Sequence, residues 1–184
     1  TDYLQGGLWI YDKLGAESWK KLLEVFVYAR KRFGITHFVI DSLMQCGIAE
    51  DDYRGQKEFL DRLCDFKNEY KVHVHLIVHP RKGESEKSRP GKMDAKGTGA
   101  ISDLADSVLT VWRNKVKEDG LRDATKKAEE IEKLKDQPDA GLVCDKQRHG
   151  EWEGHIGLWM NKESLQYFDN SHAANKPISW TREI

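Results

Sequence analysis

The sequence has few cysteines, almost no net charge and no long hydrophobic run, and each shortage excludes something. Cys46, Cys64 and Cys144 are odd in number, widely spaced and contain no C-x-x-C pair. That argues against a disulfide framework or a structural zinc site, and for a reducing compartment. A net charge of -1 over 184 residues excludes a uniformly basic nucleic-acid binder, so any such role must come from local patches. No apolar run approaches the roughly 18 to 20 residues of a membrane span, and no signal peptide is visible. The chain is therefore expected to be cytoplasmic, neither secreted nor held in a membrane. Internal repeats are absent. So is G-x-x-x-x-G-K-[ST], the loop that cradles a triphosphate. Gly91-Lys92 is followed by Met93, and Gly97-Thr98-Gly99 has no lysine after it. The chain starts at Thr1 without a methionine and enters a strand-like segment almost at once, which reads as a piece of a longer protein.

What is present is an ordinary globular balance, 39% hydrophobic and 33% charged, enough for one domain with a real core. Gly7 to Tyr11, GLWIY, reads as a short strand ending at Asp12. Ser18 to Phe33 sets Trp19, Leu22, Leu23, Val25, Phe26 and Ala29 at helical spacing and stops at Gly34. His37 to Asp41, HFVID, is an apolar strand with a carboxylate at its end, and Asp51 to Asn68 is a second amphipathic helix. Lys71 to Val78 is the next strand and opens into a long basic loop. Ile101 to Ala105 predicts a helical turn, and Val108 to Trp112 a strand. Strands and helices alternating at this spacing predict an α/β fold with a mainly parallel sheet flanked by helices. Residues 114–139 are highly charged and apolar-poor, expected to form one solvated helix with frayed ends. Three further strands are expected at Gly141 to Asp145, His155 to Met160 and Leu165 to Phe168, with a hairpin turn at Asn161 to Glu163. Ser171 to Ile184 is expected to be an extended tail.

In open α/β sheets, ligands bind beyond the carboxyl ends of the strands. Asp12, Asp41, His79 and Arg113 each sit at or just past such an end, and would share one rim if the strands were neighbours. Taken singly, each is equally a solvated strand terminus. Asp41, after a mainly apolar run, has the form of the carboxylate that holds Mg²⁺ through water opposite a triphosphate. The loop after His79 carries Arg81, Lys82, Lys87, Arg89, Lys92 and Lys96 against Glu84, Glu86 and Asp94, with no aromatic to stack on a base. Such a loop could track phosphates without sequence preference, or be plain solvated surface. A loop of this length inside a compact domain is more often functional than idle. Lys146 and Arg148 place two cations on one side of an extended segment, suited to the surface or to a neighbour's phosphates. His73 and His75 share one side of a strand, the H-x-H arrangement of some metal-dependent hydrolases, with His79 and Asp41 nearby. A sheet covered by helices would instead pack both histidines under a helix.

In this order, HFVIDSL, HVHLIVHPRK, a basic loop, KGTGAISDLADSVLTVWRNK and KQRHGEWEG resemble the ring-shaped replicative helicases. The resemblance is to the DnaB-like, RecA-fold group that includes the phage primase-helicases and mitochondrial Twinkle, and it runs from about Gly7 to about Phe168. It implies a partial RecA-like domain over residues 1–170, lacking the phosphate-loop strand and helix, with a charged insert at 114–139, a C-terminal β-hairpin and a tail at 171–184. It further implies an ATP-dependent DNA helicase, with ATP and Mg²⁺ as cofactors and single-stranded DNA as partner. The parent would form a homo-oligomeric ring, a hexamer by resemblance, in the cytoplasm of a bacterium or phage host. By resemblance, Asp41 acts on Mg²⁺ and His79 senses the terminal phosphate. Arg81, Lys82 and Lys87, with Arg89 and Lys92, grip DNA; Lys146 and Arg148 reach the adjacent subunit's nucleotide. Arg113 lies by the adenine, and an aromatic near Trp159 and Met160 sits on the base. The triphosphate-binding lysine and the catalytic glutamate of the family have no counterpart in this sequence, so the chain alone is expected neither to bind ATP well nor to hydrolyse it. The competing class is a non-catalytic single-stranded DNA-binding or assembly module on a degenerate RecA core.

Overall fold

Helix α1 (Trp19–Phe33) starts after Ser18 in an extended conformation and ends where the sequence predicts, at Gly34. Gly34 is left-handed, with φ 71°, and its N–H returns to the Arg30 carbonyl. Arg30, Lys31 and Arg32 fill the last turn, where cations complement the helix dipole. The structure, a computed structural model, describes residues 6–12, 15, 17–79 and 99–175. Strand β1 (His37–Asp41) alternates, with Phe38 and Ile40 buried and His37, Val39 and Asp41 exposed. Helix α2 (Tyr53–Tyr70) is capped by the Asp52 carboxylate, which accepts from the Gly55 N–H at 2.9 Å. Its buried face is Gln56, Phe59, Leu60, Leu63 and Phe66, a helical stripe. Strand β2 (His73–Ile77) pairs with β1 in parallel register, from His37 opposite His73 to Asp41 opposite Ile77. These elements, with helix α3 (Ala100–Leu104), form one compact unit around Phe26, Phe38, Ile40, Leu43, Phe59 and Phe66.

The chain from Ala105 onward forms a second compact unit. Strands β3 (Ser107–Arg113), β4 (Ala140–Gln147), β5 (Gly154–Met160) and β6 (Tyr167–Phe168) make an antiparallel sheet in that order. The fold is thus mixed α/β, but the mainly parallel sheet expected from the sequence is not formed: among the described residues only β1 and β2 are parallel. The reason lies at the base of the charged segment. The Asn114 N–H donates to the Asp139 carbonyl at 2.8 Å, so the excursion returns to where it left and β4 runs back against β3. The expected hairpin between β5 and β6 is present, and β4 and β5 also pair antiparallel.

The charged segment is not one solvated helix. It is two, α4 (Lys115–Arg122) and α5 (Ala128–Lys135). Between them the Asp123 carboxylate accepts from both the N–H and the hydroxyl of Thr125, a local turn that competes with helix. The same bonds hold the Asp123 carboxyl below its usual range. Gly120 lets the helices close up, since a Cβ there would lie 2.6 Å from Leu134 Cδ1.

Two smaller expectations also change. Residues 8–12 form no strand; Leu8, Trp9, Ile10 and Tyr11 are exposed, and Trp9 stacks on Phe33 with ring centroids 4.1 Å apart. The start of the expected tail is a helical turn, α6 (Ser171–Ala174), whose Ala174 carbonyl accepts from Asn161 Nδ2 at 2.7 Å. No helix among the described residues is long and apolar enough to cross a membrane.

Candidate functional site

In the first unit, parallel pairing brings two of the predicted site residues to one sheet edge. Asp41 is the last residue of β1 and lies opposite Ile77, the last residue of β2; His79 follows two residues later. Both side chains are exposed, and Ser42, immediately after Asp41, is buried. The next segment is the basic loop, and Arg81, Lys82, Lys87, Arg89 and Lys92 lie outside the described residues. Asp12 is exposed but ends no strand, so the four-residue rim is not assembled as expected.

The histidines sit elsewhere than expected. His73 and His75 do share one side of β2, but that side is the exposed one, not the face under α1 and α2. His37 joins them from β1, with ring centroids 4.3 Å apart for His73–His75 and 5.8 Å for His37–His73. Partial burial, then the neighbouring His73 and His37, lower the His75 pKa from its ordinary value. Among the described residues no group of three or more His, Cys, Asp or Glu is arranged to hold a metal ion, which leaves the H-x-H hydrolase without geometric support.

The second unit holds the remaining candidates. Arg113 ends β3 and is 65% exposed, yet its guanidinium is engaged: Nη2 donates to Glu118 Oε2 at 2.7 Å and Nε donates to Oε1 beside it. That hydrogen-bonded carboxylate raises the Arg113 pKa above its ordinary value. Lys146 lies in β4 just after a register shift opposite Val108 and Leu109. Such a bulge re-aims the side chains that follow it. Arg148 has already left the strand. Its backbone N–H donates to the Asp106 carbonyl at 2.7 Å, and Nη1 pairs with the Asp106 carboxylate at 3.1 Å. The two cations therefore do not sit on one straight extended edge. Trp159 is half-buried on β5, and its indole N–H is buried without a hydrogen-bond partner.

Sequence reasoning missed the acidic partners. Asp106, Glu118 and Asp139 each hold a cation or strand end, and nothing in their local spacing separates them from the other carboxylates nearby. Asn114 did carry a signal, because an asparagine just before a helical stretch is a good N-cap; its side chain accepts from the Lys117 N–H at 3.0 Å. Compared with known proteins, the chain matches no protein-family model and no curated protein sequence.

Proposed function

We propose that this chain is part of the motor of a ring-forming replicative DNA helicase, coupling ATP hydrolysis at subunit interfaces to movement along single-stranded DNA. The observation that carries the reading is the shared edge: Asp41 and His79 leave adjacent parallel strands at the same end, and the cationic loop follows directly. An exposed carboxylate oxygen suits a hard cation such as Mg²⁺, so Asp41 would hold the ion that neutralises phosphate charge during transfer. His79 would sense the nucleotide's phosphate end and pass its state into the loop, where Arg81, Lys82, Lys87, Arg89 and Lys92 contact the DNA backbone. Arg113 would lie by the base; Trp159 does not join it there, because Arg113, Ala140 and Leu158 are in register and Trp159 faces the other side of the sheet. Lys146 and Arg148 would serve the neighbouring subunit; the Arg148–Asp106 pair is partly solvent-exposed, so exchanging Asp106 for a phosphate costs little.

The test is single-stranded DNA binding and DNA-stimulated ATP hydrolysis by the full-length parent that contains this chain. His79→Ala should leave DNA binding nearly intact and abolish the stimulation. Stimulation that survives unchanged would refute the sensor role. A second reading, a non-catalytic DNA-binding or assembly module, draws on the missing G-x-x-x-x-G-K-[ST]. It predicts DNA binding with no ATP hydrolysis at all.

A further inference from the structure

The sheet of the second unit is open along β3, which pairs with β4 on one side and with none of the described strands on the other. Backbone bonds at its two ends fix which way each peptide points. The Asn114 N–H donates to the Asp139 carbonyl at 2.8 Å, and the Asp106 carbonyl accepts from the Arg148 N–H at 2.7 Å, both toward β4. Peptide groups alternate along a strand, so the even-numbered residues face β4, and Ser107, Leu109, Val111 and Arg113 aim their N–H and C=O groups outward. Exposed edges are ordinarily blunted by a proline, an inward charge, a bulge or shortness. Strand β3 has none of these. It runs seven residues, SVLTVWR, and is charged only at its last. The extra residue at the register shift, Asp145, belongs to β4. Leu109 and Val111 stand 61% and 69% exposed, on the face they share with Leu142 and Ile156.

We propose that β3 pairs antiparallel with β3 of a second copy of this chain, about a twofold axis through Thr110. The strand is complementary to itself in that register, which is the one that uses its whole length. Leu109 falls opposite Val111 of the second copy, Val108 opposite Trp112, and Ser107 opposite Arg113. Apolar side chains meet apolar ones on both faces, and each outward N–H meets an outward carbonyl. The two Arg113 side chains lie at opposite ends of the contact; like charges directly across from each other would weaken it. A register shifted along the strand sets Arg113 against Leu109 and leaves the ends unpaired. The contact is isologous, with one patch used by both copies, and so differs in kind from the head-to-tail contact of a ring. It needs neither nucleotide nor DNA. One paired edge buries less than the roughly 1,200 Å² of a stable interface, so the association is weak, with a Kd on the order of 10–100 µM.

The experiment is sedimentation velocity on the 184-residue chain between about 5 and 500 µM, with amide hydrogen exchange at both ends of that range. The mass should rise from 21.3 kDa toward twice that value, and the Leu109 and Val111 amides should gain protection with it. Leu109→Lys combined with Val111→Lys sets cations across from each other at both matched positions and should weaken the dimer at least ~10-fold. Leu109→Lys combined with Val111→Glu sets opposite charges there and should keep the Kd within ~3-fold of wild type. Val111→Pro removes an outward N–H without touching the bonds to β4, so it should abolish the dimer and leave the unfolding midpoint nearly unchanged. A chain that stays monomeric at the highest concentration, or two double variants that dimerise alike, would overturn the pairing. So would a monomer whose Leu109 and Val111 amides are already slow, because another segment would then cover β3. None of these outcomes bears on the motor reading, which the DNA and ATP assays decide separately.

Discussion

Replacing Lys117 by Met keeps the aliphatic stem and deletes the ammonium on which the base of the charged segment is built. The side chain is 6% exposed. Its ammonium reaches Asp139 Oδ1 at 2.7 Å, the Gln137 carbonyl at 2.5 Å and the Lys135 carbonyl at 3.3 Å. Removing one partner of a fully buried ion pair costs about 3–5 kcal/mol, because the other charge is left uncompensated. Here the cost is smaller. Asp139 is 32% exposed and can rehydrate, and its second oxygen keeps the Met160 N–H. The two carbonyls lose a charged donor, worth about 1.5–3 kcal/mol for each such bond in a buried setting. A loss of about 2–3 kcal/mol follows, or a fall in Tm of about 4–12 °C for a chain of this length. Urea and thermal unfolding followed by tryptophan fluorescence would measure it, since Trp112, Trp152 and Trp159 all report on the second unit. Adding Asp139→Asn should recover part of the loss, because the stranded charge goes while an acceptor for Met160 remains. A Lys117→Met protein within about 0.5 kcal/mol of wild type would refute the anchoring role.

Three further outcomes follow from the geometry. Burial pushes the Cys46 thiol up from an ordinary 9.0 to about 11, so the unfolded chain releases this proton first. Stability should then fall as pH rises from about 9 to about 11, by up to about 1.4 kcal/mol per unit from this group, and Cys46→Ala should flatten that slope. His75 should titrate by NMR below its ordinary 6.5, and His73→Gln should raise it. Because the folded pKa is depressed, its contribution to stability is lost as pH falls below 6.5; a His75 that titrates at or above 6.5 contradicts this. Gly34→Ala should cost roughly 1 kcal/mol, read from urea midpoints, and Gly34→Asn less. No atom lies within 4 Å of the added Cβ, so the cost is that of the left-handed backbone at φ 71° alone.

The candidate edge is partly legible in the sequence. Asp41 and His79 can be placed past strand ends because HFVID and the segment around HVHLI are short apolar runs that stop at polar residues. That they share an edge follows only from the parallel register of β1 and β2. Arg113 can be placed at a strand end, but Glu118 cannot be singled out, since α4 and its flanks offer several carboxylates and pairing is a matter of distance. The proposed DNA contacts rest on sequence alone, because the loop lies outside the described residues.

By itself the sequence determined the local elements. Helical spacing and end signals are short-range, so α1 ends at Gly34, α2 starts at Asp52, and each main strand falls within a few residues of its apolar run. Tertiary structure alone decided which strands pair, in which direction, and which face of each is covered. The alternation of β2 is the same whether helices lie on one side or both, so the sequence could not place His73 and His75 in the open. In the segment KVKEDGLR nothing distinguishes Lys117 from Lys115; only the return of the chain to Asp139 makes one a buried anchor. Helices close their hydrogen bonds within a few residues, whereas sheets and buried ion pairs close theirs across the chain.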